Sequence, residues 1–512
     1  MESRLTSQDI LEQNKKNIVF LMSFFAMYVI VYGYMSLRLG LAVEEATYIY
    51  KDWPILLSNG RWGVQLFRFI TQTECYLPYA AGILSGIFIS AAILIQTYLL
   101  KISSSTGRFI YAALYIGCEQ WAHQLRYSNQ SHAVALGLLL ASTAIYLIYN
   151  KKGWKSYLLS SGALCLAFSV YQTVGVYAIA LVTAVELQKT LTEHYSPFLL
   201  RCIKTTSAIC IAVILYYCIN LAIISFVNIP EATITMVEKY QQNMTGWSDI
   251  AKLGVKNIAY QFVNLGIKTP FFSITCQNYQ GQLIVASALL PACLIIIYAI
   301  KHFGLCRKSI LITILVLSVL YIPFTASLLL GKHLPIRVEL SNPIPAACLW
   351  SLAFSIISRV SIQRAQLAFM SVGIFALIWA SCRVSEIGRD ERWSYNRGAA
   401  ELHMMQLRGQ QAAINSGLVD CRIVLLGKPR PIPDQLYDIK TTGLMGNETL
   451  TDLLRYPGWV TKYARYLRLS RIFEGTQEDM NAHLATFKEM PIWPADGSVR
   501  VSNNEVIIKI GN

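Results

Sequence analysis

The chain is 512 residues long, with 54% hydrophobic and 14% charged residues and a mean hydropathy of +0.43, where soluble domains carry about 25% charged residues. That composition excludes a soluble globular protein. A net charge of +15 would suit a nucleic-acid binder, but apolar runs long enough to cross a bilayer recur through roughly the first 380 positions, which predicts an α-helical polytopic membrane protein instead.

The uncharged runs are Ile18–Leu37, Tyr79–Leu100, Ala133–Tyr149, Thr205–Val227, Leu283–Ile300, Ile310–Leu330 and Ala365–Cys382. Phe109–Leu125 is interrupted by Glu119 and His123, and Ile344–Ile357 is opened by Pro343 and Pro345. Tyr157–Leu187 is too long for one crossing and short for two, so it reads as a tight helical pair or a re-entrant hairpin; either leaves the topology downstream unchanged. The expectation is eleven crossings, or nine plus a re-entrant pair. Ile18–Leu37 reads as the first retained helix rather than a cleaved leader, because no small-residue cleavage site follows it.

Charge orients these runs. With a cytoplasmic N-terminus, the inner segments collect sixteen Lys/Arg, among them Lys15, Lys16, Lys101, Arg108, Lys151, Lys155, Arg201, Lys204, Arg307 and Lys308, against five acids. Every inner turn is then basic, as the positive-inside rule requires. The basicity is therefore topological, and nucleic acid is not an expected partner. The same reading makes residues 1–382 a multi-pass transmembrane domain with outward loops at 40–78, 228–282 and 331–342. Cysteine supplies no disulfide framework and no CxxC motif.

Residues 383–512 differ in kind, with seventeen Lys/Arg, fifteen Asp/Glu and no membrane-length run. They predict a small α+β extracytoplasmic domain. Ser394–Asn415 reads as a helix closed by Gly417, and Arg422–Leu426 as a buried strand. Leu450–Leu469 reads as helix broken at Pro457–Gly458. Thr476 with Asp479 forms a capping-box pattern opening a helix through Met490, and Val499–Val501 with Val506–Ile510 reads as a hairpin.

Candidate chemistry collects at the outer boundary. Glu44 and Glu45 follow the first span, with Asp52, Trp53, Arg61 and Trp62 further along the same loop. A carboxylate at the hydrocarbon edge has its pKa raised by desolvation and suits a general base for a sugar hydroxyl, while Trp53 and Trp62 offer flat faces for a sugar or a prenyl chain. The alternative is a solvated acidic pair and an interfacial aromatic belt. Arg126, His132, Tyr171 and Gln172 mark polar positions at the outer ends of spans, where they face a cavity or bond between helices. Lys332, His333 and Arg337 lie outside against the charge trend and suit a phosphate, unless Glu339 simply pairs with Arg337. No Gly-rich phosphate loop, HExxH or GxSxG motif is present, and no outer carboxylate cluster demands a metal, so neither metal nor cofactor is expected.

An acidic pair after the first span, Gly60-Arg61-Trp62 in the same loop, Tyr171-Gln172 in the middle hairpin, and a tail ending Trp493-Pro494-x-x-Gly497 before the apolar Val506–Ile510 resemble the serotype-converting, Gtr-type glucosyltransferases often carried by temperate phages. The resemblance spans nearly the whole chain, though each motif is short. It implies a GT-C-like membrane glycosyltransferase of about 9–11 transmembrane helices, acting on the periplasmic face. The implied reaction moves glucose from undecaprenyl phosphate-glucose to the O-antigen of lipopolysaccharide, beside a small glucosyl-lipid flippase and a bactoprenol glucosyltransferase. The family pattern has Asp-Asp where this chain has Glu44-Glu45, which leaves open which carboxylate is the base. In this reading Glu45, Glu44 or Asp52 is catalytic and Arg337, Lys332, His333 and Arg61 hold the donor phosphate. Trp53, Trp62, Arg126, His132, Tyr171 and Gln172 contact sugar or acceptor.

Two rival classes share features with this reading. An O-antigen polymerase or ligase would use the same compartment and lipid-linked substrates. A lipid-linked sugar flippase or transporter would carry ionisable residues inside several spans, whereas here only Glu119 and His123 interrupt one, and it would not need an outer domain of about 130 residues.

Overall fold

The structure is a computed structural model that describes residues 7–37, 53–72, 77–118, 120–125, 127–128, 130–151, 153–192, 198–227, 252, 283–325, 339–359, 362–419, 421–427, 461, 464–465, 467–469 and 471–511. The described residues form two compact units, one reaching Ser385 and one beginning at Glu386.

The first unit is helical. In chain order it contains α1 (Ser7–Leu37), α2 (Trp53–Ser58), α3 (Trp62–Ile70), α4 (Pro78–Leu99), α5 (Ser105–Ile116), α6 (Gln120–Leu125), α7 (Ser131–Asn150) and α8 (Trp154–Val170). It continues with α9 (Val174–Thr192), α10 (Phe198–Phe226), α11 (Leu283–Ser287), α12 (Leu289–Phe303), α13 (Arg307–Tyr321), α14 (Pro343–Ile357) and the first part of α15 (Ile362–Asn415). Among the described residues seven helices are long and apolar enough to cross a membrane: α1, α4, α7, α9, α10, α13 with its 3-10 extension, and α15. α12 and α14 are shorter apolar helices, and α5 and α8 have 12 and 17 residues. The chain is a polytopic helical membrane protein.

Three sequence expectations are refined here. Tyr157–Leu187 is a pair of separate helices, α8 and α9, joined at Tyr171–Thr173. The two cross in opposite directions, because Tyr149 at the end of α7 donates to Glu186 near the end of α9 at 2.6 Å, while Val170 and Val174 both approach Gly137 near the start of α7. Phe109–Leu125 is not one span: α5 stops at Ile116, where Gly117 packs against the backbone of Ala376, and α6 is a separate short helix. The helix expected from Ser394 begins instead at Ile362, since no proline interrupts residues 362–415.

The unit has two distinguishable ends. At one, Arg201 makes a bidentate contact to the buried Glu186 (2.8 and 2.6 Å), and Lys204 donates to the carbonyl of Ile148. We call this the basic end. α7 sits centrally, packed on α4, α8 and α9. α10 is peripheral, with Thr205, Ala208 and Ala212 as its buried residues, and its exposed apolar face suits lipid. Between the ends a buried polar set ties four helices together. Tyr111 donates to Gln96 Oε1 at 2.6 Å, Gln96 donates to Ser142 at 3.1 Å and to Tyr177, and Tyr115 bonds Tyr177 at 3.3 Å. Polar groups away from water must satisfy one another internally, so this set fixes helix register.

The second unit is a four-stranded sheet of β1 (Ile423–Leu426), β2 (Ile472–Glu474), β3 (Val499–Ser502) and β4 (Glu505–Lys509), in the order β2-β1-β4-β3. β1 runs parallel to β2 and β4, and β3–β4 is the expected hairpin, turned by Asn503 and Asn504, both at positive φ. Strand residues alternate between two cores. Ile423, Leu425, Val506 and Ile508 pack with Leu402 and Met405 of α15; Val424, Leu426 and Ile507 pack with Phe487 and Met490. Burial on both faces explains the uninterrupted apolar strands. The Thr476–Asp479 capping box forms as expected, but the helix it opens breaks at His483 into α16 (Gln477–Ala482) and α17 (Leu484–Glu489). Residues 428–433 and most of 450–469 lie outside the described residues.

Candidate functional site

At the end of the first unit opposite the basic end, three connections meet. The first is Asn59–Arg61 between α2 and α3. Gly60 has φ +70°, Gly60 N–H donates to Leu57 O at 2.9 Å and Arg61 N–H to Leu56 O at 2.8 Å. This is a Schellman closure, in which a left-handed residue, usually glycine, satisfies the last carbonyls of a helix and turns the chain away. A Cβ on Gly60 would lie 2.1 Å from the Tyr216 hydroxyl, so the close approach as well as the φ requires glycine.

The second connection is the turn Tyr171–Thr173. Gln172 Nε2 donates to the carbonyl of Asn59 and, at 3.0 Å, to the hydroxyl of Tyr216 on α10. Tyr216 in turn donates to the carbonyl of Gly60 at 3.1 Å. The turn is recessed: its flanking Val170 and Val174 approach Gly137, six residues into α7, about 9 Å below the helix start at 1.5 Å per residue. The third precedes α7 and includes Tyr127, Ser128 and Gln130, with Gln130 at the start of the helix.

Arg61 lies where the three meet. Its Nη1 donates to Gln130 Oε1 at 3.4 Å, and its guanidinium sits 4.3 Å from the centroid of the Tyr171 ring. Its Nε is buried without a hydrogen-bond partner, and no carboxylate among the described residues pairs with it. A guanidinium held by an aromatic face and a neutral amide keeps its charge and most of its five donors for an anion.

The other expected site residues divide. Tyr171 and Gln172 are brought to Arg61. Trp62 opens α3 and is buried, its Nε1 without a partner. His132 is buried at the start of α7, with its ring 5.4 Å from that of Phe67. Trp53 opens α2, and its side chain is outside the described residues, as are Glu44, Glu45, Asp52, Arg126, Lys332, His333 and Arg337.

Sequence reading missed two participants. Tyr216 sits within an uncharged run, next to Tyr217, and looks like part of a lipid-facing span, so no local signal singled it out. Glu339 was weighed only as a partner for Arg337. It is buried just before α14, accepts from Asn342 Nδ2 at 2.9 Å, and has no ion pair with a described residue. α14 runs antiparallel to α5, with Phe354 against Gly107 near the basic end, so Glu339 belongs to the same end as Arg61. Burial pushes its carboxyl up to about 8, only partly opposed by the Asn342 hydrogen bond. A carboxyl titrating there keeps its proton at neutral pH and can donate it. Among the described residues, then, a charged ligand would be held by Arg61, and a proton could be given by Glu339.

The chain matches the family model described as glucosyl transferase GtrII over residues 43–337. No curated protein and no solved structure matches it. The matched span covers more than half of the 512 residues and includes Arg61, Gln130, Tyr171 and Tyr216: the chain belongs to the GtrII glucosyl transferase family, and it is a glucosyltransferase built on a helical membrane unit.

Proposed function

We propose that the protein transfers glucose from undecaprenyl phosphate-glucose to the O-antigen of lipopolysaccharide at the periplasmic face of the inner membrane, changing the serotype. The observation that carries this reading is Arg61: a half-buried guanidinium, recessed at one end of a membrane unit, with no carboxylate counterion among the described residues. The positive-inside rule assigns the basic end to the cytoplasm, which assigns Arg61 to the periplasmic side. Soluble nucleotide sugars are scarce there, so a glucosyltransferase needs a lipid-linked donor. A polyprenyl phosphate supplies both the anion for Arg61 and a chain that remains in the bilayer.

The transfer is a single inverting displacement. A carboxylate takes the proton of an acceptor hydroxyl, the oxygen attacks the anomeric carbon, and the bond from that carbon to the phosphate oxygen breaks. Polyprenyl phosphate leaves with the bonding electrons. Arg61, with Lys332, His333 and Arg337, stabilises the charge that grows on the leaving phosphate. Glu44 or Glu45 is the base, with Asp52 in reserve. Metal and cofactor are not required by this scheme, because the cations stabilise the leaving group. A small glucosyl-lipid flippase and a bactoprenol glucosyltransferase would supply the donor.

Lipopolysaccharide from cells with and without the gene tests the reading. One added side-branch hexose per repeat is expected. Altered chain length with no added hexose would favour a polymerase or ligase, and unchanged lipopolysaccharide would contradict the proposal.

A further inference from the structure

The short helix α6 carries an unexplained pair of side chains. Gln120 and Gln124 are one turn apart and share a helix face. Both are buried, at 0% and 1% exposure, yet neither Nε2 nor Oε1 of either has a hydrogen-bond partner among the described residues. Leaving a buried amide unsatisfied is unfavourable, so four such atoms on one face signal a ligand that fills them.

The surroundings narrow the chemistry. Between the two amides, Trp121 is held by its Nε1 donating to the carbonyl of Tyr115 at 2.9 Å and by its ring 5.5 Å from that of Tyr115. Beyond α6, Tyr127 N–H donates to Gln124 O and Gln130 N–H to Tyr127 O, and Gln130 holds Arg61. A primary amide both donates and accepts, and so does a hydroxyl; a phosphate only accepts and would use half of each side chain. Two neutral amides one turn apart therefore match neighbouring hydroxyls on one ring.

We propose that Gln120 and Gln124 bind ring hydroxyls of the hexose being transferred and determine which sugar the enzyme accepts, while Arg61 holds the phosphate. This rests on the lipid-linked donor proposed above, in which the sugar is bonded directly to the phosphate and its subsite must adjoin the phosphate's cation.

The test uses the purified full chain and two probes, undecaprenyl phosphate-glucose and undecaprenyl phosphate. Wild type should bind the glucosylated lipid more tightly. Gln120→Met and Gln124→Met, each close in volume to glutamine, should each lower that preference roughly tenfold, with undecaprenyl phosphate affinity unchanged and Tm no lower. Variants that keep the wild-type preference would overturn the assignment and leave the amides to water. Loss of both lipids together with a lower Tm would overturn it in favour of a structural role. Wild type that binds neither lipid would overturn the donor reading and this assignment with it. A parallel series on wild type uses donors lacking one ring hydroxyl. At least one should lose roughly tenfold in affinity, and equal binding of all of them would contradict a hydroxyl-reading pair.

Discussion

The chemistry of the site depends on how single side chains are compensated. Half-buried Arg61 has a ring face and an amide where an ion-paired arginine has a carboxylate, which leaves its charge open to an anionic ligand. Arg61→Ala should therefore lower kcat/KM for the lipid donor by at least roughly tenfold, and Arg61→Lys should recover part of it, because the charge survives and the planar fork does not. Steady-state kinetics with varied donor would show this, and equal donor kinetics in wild type and Arg61→Ala would remove the role. Glu339 makes a prediction in pH. Its folded pKa, about 8, exceeds the ordinary 4.5, so between these values the folded state keeps a proton that the unfolded state has lost. Stability then falls as pH rises through that window and is complete below it. Glu339→Gln removes the dependence, so wild-type Tm should drop more than that of the variant between pH 5 and pH 8. Parallel melting curves would show that Glu339 is not buried as a carboxylic acid.

At the scale of elements, the site is made by connections rather than by long helices. Gly60-Arg61-Trp62 was readable as a loop motif with a candidate cation, and Tyr171-Gln172 as polar residues stranded in an apolar stretch, so both halves of the site could be found in the sequence. What sequence could not give is that Tyr216, 44 residues beyond Gln172, locks the two together, because a tyrosine in an apolar helix looks the same whether it faces lipid or a loop. Gly60→Ala would put a Cβ 2.1 Å from that hydroxyl and strain a left-handed φ by about 1–2 kcal/mol. It should lower transfer roughly tenfold by displacing Arg61, and adding Tyr216→Phe should restore part of the loss by removing the clashing oxygen. Additive losses in the double variant would mean that the Gly60–Tyr216 contact does not position the cation.

For the whole molecule, hydropathy and charge located the long apolar helices in order, but left Tyr157–Leu187 open between a helical pair and a re-entrant hairpin and gave no helix at α2 or α3. They failed where no local punctuation marks an end. Residues 362–415 contain no proline, and the composition change at Arg383 occurs within one helix rather than at its boundary. The second unit has its own cores around β1 and β4, so it is expected to act as a separate part that presents the acceptor glycan. Removing residues 386–512 should leave a protein that still inserts and binds undecaprenyl phosphate-glucose but no longer modifies lipopolysaccharide; glycan analysis and lipid binding on the same preparation would separate the two. Glucosyl transfer from a lipid phosphate can be measured by incubating the purified protein in vesicles with undecaprenyl phosphate-glucose and unmodified lipopolysaccharide, and weighing the O-antigen repeat by mass spectrometry. A gain of one hexose is expected, with undecaprenyl phosphate released in equal amount and the product absent with Arg61→Ala. An unchanged repeat despite bound donor, or a gain that requires a nucleotide sugar instead, would contradict it.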